Sequence, residues 1–335
     1  MAEALLEVAG RSDAADDLIE RMIATRKENV QKFKRKLSAL KRSKRFIGWR
    51  ESHGYARELV MLLQDLRAGV SDPLKGVELV AAFYASDSWI FEACDDSSGN
   101  VGDVFRYDAK VLFHEYASRS PDKEKVAELI LELNREDNYG IRDTLVDCAG
   151  DFLPEPTIRS MITAFQERAD NEKDKYGKRH HLMLIESLAR QIRDPELFKK
   201  TRIESWGELS TAAFIDIATV YLESGNVEAA FSWVQKIPED DTFKSYERDK
   251  LLRQIYERQG EEEKLTELLY RNFRSYHSMD TLQDLLNVIG ENKREEVISD
   301  EIPLILEDSK LNYSDAEFFI EIGKMDEAED YLLKR

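Results

Sequence analysis

The stretch Ala212–Pro238, AAFIDIATVYLESGNVEAAFSWVQKIP, leaves the chain that contains it few ways to fold. Phe214, Ile217, Ala218, Tyr221, Gly225, Ala230, Val234 and Pro238 follow one another as bulky, small, aromatic, turn glycine, small, bulky and proline. That order specifies two antiparallel helices. Small Ala218 and Ala230 let the helices approach closely, while Phe214, Tyr221 and Val234 fill the space between one hairpin and the next. Ser224-Gly225-Asn226 stops the first helix, because glycine accepts the positive φ of a helix end without a Cβ penalty. Pro238 ends the second, since proline cannot continue the hydrogen-bond ladder.

The spacing is that of a tetratricopeptide brick, and it recurs. Tyr256 to Gly260, Leu286 to Gly290 and Phe319 to Gly323 repeat the aromatic or bulky residue four before a glycine, with the glycines 35, 30 and 33 residues apart. Leu265 and Leu269, then Ala328 and Leu332, take the small and bulky slots of two copies. In the copy between them Glu295 and Ser299 fall where apolar residues belong, which predicts a shifted or longer second helix. The expected fold is all-α: a right-handed α-solenoid of antiparallel helical hairpins, tetratricopeptide-like in its C-terminal third. The last arm reaches Lys334-Arg335 with no further helix to cap it, so either more chain or another surface is expected to cover that face.

Upstream, apolar periodicity predicts an amphipathic helix over residues 3–25, interrupted near Gly10 and capped again by Ser12 or Asp13. A basic helix over 26–45 follows, with Val30, Phe33, Leu37 and Leu40 on its buried face. Further arms are expected at 51–67, 74–91, 101–118, 125–133, 141–152 and 155–169. The charged run ADNEKDKYGKR, residues 169–179, is the predicted flexible boundary between an N-terminal region, 1–170, and a repeat region, 171–335, the alternative being one continuous solenoid. Helices at 181–193 and 195–206 lead into the clear repeat.

Only 7 prolines and 15 glycines among 335 residues, with 42% hydrophobic and 35% charged side chains, fit a strongly helical globular chain. A formal charge of −18 argues against general binding to nucleic acid or anionic membrane. The charge is uneven. From Arg26 to Arg45 ten basic residues meet one acid, Glu28, so this stretch carries +9 and the remainder −27. Two cysteines, Cys94 and Cys148, make no disulfide framework, and the start has neither a signal peptide's basic and apolar regions nor a membrane-length apolar run. The expected location is the cytoplasm.

No chemistry-bearing motif stands out. Cys94 and Cys148 have no Cys or His at ligand spacing, and adjacent His180 and His181 point to different faces of a helix, so no metal is expected and no cofactor. The loop from Asp95 to Asp103 offers Asp95, Ser97 and Gly99, but the calcium loop's glycine and glutamate positions hold Asn100 and Arg106; a helix-capping turn fits better. Nucleophile elbows, P-loops and dinucleotide glycine patterns are absent from the sequence, and the expectation is a protein that is not an enzyme.

Phe46-Ile47-x-Trp49, Tyr55-Ala56-x-x-Leu59, Leu62-Leu63-x-x-Leu66 and Asp95-Asp96-Ser97-Ser98-Gly99-x-Val101-Gly102 resemble a bacterial family of uncharacterised helical-repeat proteins. Segments related to it are found downstream of SWIM zinc fingers. The resemblance is strongest over residues 40–135 and implies an α-solenoid with no assigned activity. The C-x-C…C-x-H element of the SWIM finger is missing here, so neither its zinc nor its nucleic-acid role carries over.

The function expected is a non-enzymatic scaffold that holds a protein or peptide partner in a tetratricopeptide-like groove lined by the first helix of each brick. The repeat register places Ile215, Thr219, Glu223, Lys250, Gln254, Glu257, Asp284, Asn287, Tyr313 and Glu317 there, a mostly polar set of mixed sign that suits a charged peptide. The alternative is a nucleic-acid-associated adaptor in a defence or regulatory complex, touching phosphates through Lys32, Lys34, Arg35, Lys36, Lys41 and Arg42. Against it, the basic run is expected to be a solvated helix back paired to the acidic body, with no exposed aromatics interleaved for base stacking.

Overall fold

The structure, a computed structural model, describes residues 24–43, 45–238, 241–308 and 311–333. The expected helix over residues 3–25 and the terminal Lys334-Arg335 lie outside the described residues apart from Ala24 and Thr25. Among the described residues the protein is helical, and its only β feature is an isolated parallel bridge between Ile47 and Cys94. Two compact units form, residues 1–207 and 208–335.

In the first unit α1 (Arg26–Arg42) packs on α2 (Ser52–Gly69). Thr25 and Glu28 close a capping box at the start of α1, and Phe33 is fully buried while Val30, Leu37 and Leu40 pack against the core. The predicted 74–91 arm is two helices, α3 (Pro73–Tyr84) and α4 (Asp87–Glu92), because Ala85 and Ser86 interrupt it. The next arm starts as α5 (Asn100–Asp103), widens into a π-helical turn over Val104–Ala109, and continues as α6 (Lys110–Arg119). Tyr84 accounts for part of that widening: its buried hydroxyl donates to the Phe105 carbonyl at 2.7 Å, giving a π-turn backbone group a partner outside its own helix.

α7 (Lys123–Asn134) follows, but no full arm occupies 141–152. Only α8 (Asp143–Val146) and a 3₁₀ turn over Ala149–Asp151 form there. A buried ion pair replaces the missing helix. Arg142, 4% exposed, donates from Nε and Nη2 to the two oxygens of fully buried Asp87 at 2.8 and 2.7 Å, and from Nη1 to the Leu133 carbonyl at 2.7 Å.

The expected boundary near 170 is corrected. α9 (Glu155–Asn171) and α10 (Lys175–Gln191) are separated by three residues and pack together, with the Asp174 carboxylate capping α10 through the Gly177 amide. α11 (Pro195–Trp206) returns along α10, so the first unit ends at Gly207. The run 169–179 is charged because it is the solvated end of a hairpin.

The second unit opens with the hairpin α12 (Thr211–Glu223) and α13 (Val227–Val234), Ala218 and Ala230 being fully buried between the arms. α14 (Ser245–Gln259) and α15 (Glu262–Ser275) form the next pair. α16 (Met279–Ile289) leads through a 3₁₀ turn to α17 (Arg294–Glu307), and α18 (Tyr313–Glu321) pairs with α19 (Met325–Leu333). All four hinge glycines, Gly225, Gly260, Gly290 and Gly323, have positive φ at helix ends. α17 is shifted as expected: Glu295 and Ser299 are exposed, and Val297, Ile298, Glu301 and Ile305 supply the buried face. In α19 the buried bulky residue is Tyr331, whereas Leu332 is 45% exposed.

Two pairs of substitutions test this packing. A Cβ on Gly76 would lie 2.3 Å from the ring of Tyr116, which is 1% exposed, whereas a Cβ on Gly54 would meet nothing within 4 Å. Gly76→Ala is expected to destabilise by about 1–3 kcal/mol, and Gly54→Ala to stabilise by about 0.5–1 kcal/mol through helix propensity, measured by denaturant melts. In the second unit, Ala230→Arg forces an unpaired charge between packed helices and should cost several kcal/mol, on the order of the largest single-mutant effects. Glu228→Arg, on an exposed position, should leave the melt unchanged. Equal melts for Ala230→Arg and Glu228→Arg would refute the assigned register.

Candidate functional site

The basic helix divides its charges between two tasks. Lys32 and Lys36 turn to Asp65 of α2, a carboxylate 1% exposed, with Nζ–Oδ2 distances of 3.8 and 3.4 Å. Lys41 places its ammonium 3.9 Å from the centre of the Trp89 ring, and Arg45 pairs with Glu51 at 2.6 Å. Lys34, Arg35 and Arg42 are exposed, Arg42 donating from Nε to the Ser38 carbonyl. So Lys32 and Lys36 anchor α1 to the body, while Lys34, Arg35, Lys41 and Arg42 remain at the surface.

No exposed aromatic is interleaved among the cations, Phe33 being fully buried, but exposed rings stand next to the helix. Phe46 and Trp49, just beyond its end, are 62% and 59% exposed, and Trp89 is 38% exposed. They were legible as residues but not as surface, since FIGW also reads as an apolar turn that plugs a core.

Of the residues assigned to the groove on the first helices, Ile215 is a correction. It is 6% exposed and packs inside the unit, because α12 is apolar on more than one face. Thr219 is half-buried and donates its hydroxyl to the Ile215 carbonyl at 2.8 Å. Glu223, Lys250, Glu257, Asn287, Tyr313 and Glu317 are exposed, and Gln254 and Asp284 half-buried. The structure brings two of them together through a residue outside the set. Arg253 on α14 reaches Glu257 at 3.0 Å and Asp284 of α16 at 2.7 Å, tying first helix to first helix. Asn287 accepts from Gln283 at 3.1 Å.

A concavity of the second unit lies elsewhere, between the second helices α15 and α17. It has a volume of about 600 Å³ and is lined by Thr266, Glu267, Tyr270, Arg271, Arg274 and Ser275 on one side and Val297, Asp300 and Glu301 on the other. The register did not point here, because it places the groove on the first helix of each brick and α15 and α17 are second helices. Arg271 pairs with Asp249 at 3.0 Å, and Arg274 donates from Nε to both oxygens of Glu301 at 3.2 Å.

Behind Glu301 stands a buried polar cluster. His277, 8% exposed, has Nδ1 2.7 Å from Asp315 Oδ1, and the Tyr331 hydroxyl donates to the other Asp315 oxygen at 2.7 Å. His277 Nε2 faces Glu301 Oε1 at 3.6 Å, an ion-pair distance too long for a hydrogen bond. The ring is packed by Phe273 and Phe318. Burial pulls the His277 pKa down, but Glu301 and Asp315 outweigh it and raise it above the usual value. Burial pushes Glu301 up, while His277 and Arg274 outweigh it and hold the carboxyl below its usual range.

The remaining chemical candidates have structural explanations. Asp96 accepts from the amides of Val101 at 2.9 Å and Gly102 at 2.8 Å, capping α5, and Asp95 accepts from the Ser97 amide at 3.1 Å and from its hydroxyl. The Asp95 to Asp103 loop is thus the capping turn. His180 bonds Asp143 at 2.8 Å, which raises its pKa, whereas His181 is lowered by burial and by His180 and Arg168. Cys94 and Cys148 are buried thiols, each pushed up to about 11 by burial, which keeps them unreactive. Among the described residues no group of three or more His, Cys, Asp or Glu side chains is placed to hold a metal ion, and no helix is long and apolar enough to cross a membrane.

Fold and surface together define an all-helical protein with a basic, aromatic-edged helix in one unit and a charged groove in the other. The chain belongs to a family of unknown function, DUF6880, whose model matches residues 1–208. The match ends where the first compact unit ends. No curated protein and no solved structure matches it.

The His277 cluster predicts a pH dependence with a definite sign. A raised folded pKa means that His277 contributes stability fully below its unfolded value near 6.5 and loses it as pH rises through the folded value. Glu301, with a lowered folded pKa, contributes above its unfolded value near 4.5 and loses that contribution as pH falls. His277→Gln is expected to lower the melting temperature at pH 6 by more than at pH 9. A uniform loss across that range would show that His277 is not held charged.

Proposed function

We propose that the protein is a non-enzymatic scaffold whose second unit, a tetratricopeptide-like stack of hairpins, holds a charged and extended peptide segment of a partner protein. The observation that carries this reading is the groove between α15 and α17. Its volume, about 600 Å³, is in the range that ligand sites occupy, but its lining is not that of a small-molecule pocket. Arg271 and Arg274 alternate with Glu267, Asp300 and Glu301 around the single ring of Tyr270. Side chains of both signs along one channel favour a chain that carries both signs itself, with Tyr270 offering an apolar seat between them. The exposed first-helix residues Lys250, Glu257, Asn287 and Glu317 offer a second polar face of the same character. We place the protein in the cytoplasm, where the two unpaired thiols would stay reduced.

Selection of a random peptide library on the whole protein tests this. Peptides of mixed charge should be enriched, and Thr266→Trp, which fills the groove, should abolish their binding while Lys250→Glu leaves it intact. If Lys250→Glu removes binding and Thr266→Trp does not, the first-helix face is the site. If no peptide is enriched, the scaffold reading falls.

A further inference from the structure

We propose that the first unit carries a binding site for single-stranded nucleic acid, in which the outer face of α1 follows the phosphates and Phe46 and Trp49 receive unpaired bases. It is a second site, independent of the groove between α15 and α17.

The cations are in line. Lys27, Lys34 and Lys41 are spaced by seven residues, as are Arg35 and Arg42 beside them, and a heptad step turns a straight helix by only about 20°. These five exposed side chains therefore form two neighbouring rows on one face. The helix has 17 residues, so the face is about 25 Å long. Lys32 and Lys36 are not part of it, being committed to Asp65.

The aromatic side chains stand at the end of those rows. Ile47 donates to the Ala93 carbonyl and accepts from the Asp95 amide, both at 2.8 Å, which lays the 46–49 segment beside the end of α4. Lys41 reaches the Trp89 ring one turn earlier on the same helix, so the last cation of the row and the aromatic turn adjoin. Arg50 lies 5.2 Å from the Trp49 ring and adds a further positive charge. Of the nearby acids, Glu51 is engaged by Arg45, Asp95 by Ser97 and Asp65 by the two lysines, while Glu92 at the end of α4 is exposed.

Phe46 and Trp49, 62% and 59% exposed, lie beside the cations and offer ring faces that a ligand can stack on. An acidic peptide would satisfy the cations and leave the rings bare. A duplex would satisfy the cations too, but its bases are stacked on one another. A single strand offers phosphates and free base faces together, and both features of the surface then have a partner.

The test is fluorescence anisotropy of the full chain with a labelled 12-nucleotide oligothymidylate at 50 and 200 mM salt. Binding is expected at 50 mM and should weaken steeply with salt. Lys34→Glu with Arg35→Glu should flatten the log–log salt slope by about 1.4, at about 0.7 per phosphate contact on a single strand. Phe46→Ala with Trp49→Ala should weaken binding about tenfold or more, as loss of stacking does. Phe46→Tyr with Trp49→Phe keeps the rings and should keep the affinity. No binding at 50 mM salt overturns the proposal. So does an affinity that the alanine pair leaves unchanged, or that the ring-preserving pair loses as fully as the alanine pair. Equal affinity for a duplex of the same length, or displacement by polyglutamate at equal charge, also overturns it by showing that the surface reads charge alone.

Discussion

Two helices come only as close as the side chains between them permit, and each unit of this protein depends on residues that permit very close approach. In the first, the Tyr116 ring lies on Gly76 where α3 meets α6, and the Tyr116 hydroxyl donates to the Val70 carbonyl at 3.1 Å. Any side chain at position 76 would push α6 outward, and with it the π turn that Tyr84 holds through Phe105. In the second, Ala218 and Ala230 play the same part with a methyl in place of a hydrogen. Close approach increases dispersion contacts and excludes water, which in turn raises the cost of any polar group left inside.

That cost explains how charge is distributed in the interior. Asp87 and Arg142 are buried as a bidentate pair with a third bond to the Leu133 carbonyl, so the guanidinium leaves little unsatisfied. Such a pair adds little net stability over apolar packing, but breaking it strands a buried charge. It therefore fixes which conformation the irregular 135–151 segment takes. Asp65 and His277 follow the same logic, each drawing its partners from different segments, α1 for Asp65 and α17 and α18 for His277. A helix that seats two lysines on one buried carboxylate is held in rotation, and that rotation is what turns Lys34 and Arg35 outward.

Local chemistry was the legible part of the fold. Hinge glycines at 225, 260, 290 and 323, the helix stop at Ser224-Gly225-Asn226, and the helical period of α1, α2 and α9 are each decided within a few residues, so the sequence alone carries them. The caps at Thr25 and Asp174 are just as local but fall where the sequence reads as helix interior and linker. The misplaced elements were decided at a distance. The arm expected at 141–152 has helical apolar spacing, but Arg142 is drawn to Asp87, 55 residues earlier. The run at 169–179 has a linker's composition, but α9 and α10 pack on either side of it. For the site, exposed polar positions such as Lys250 and Glu257 followed from the register. Ile215 did not, because α12 is apolar on more than one face, nor did the groove between α15 and α17, because the register places the site on first helices and these are second helices.

The two candidate surfaces differ in what family membership bears upon. The match covers residues 1–208, and the basic rows of α1, the Phe46 and Trp49 turn and the capping turn at Asp96 all lie within it. The groove lies wholly in the unit that follows. The groove is therefore a feature of the second unit, and the first unit has its own core and its own charged face. The α1 face is tied to α2 through Asp65 and is positive in a chain of net charge −18, so long-range repulsion opposes a polyanion until it is near enough for the local cations to dominate. A surface with that balance would have to discriminate by contact geometry more than by charge, and the exposed rings beside it are what could distinguish a base from a carboxylate.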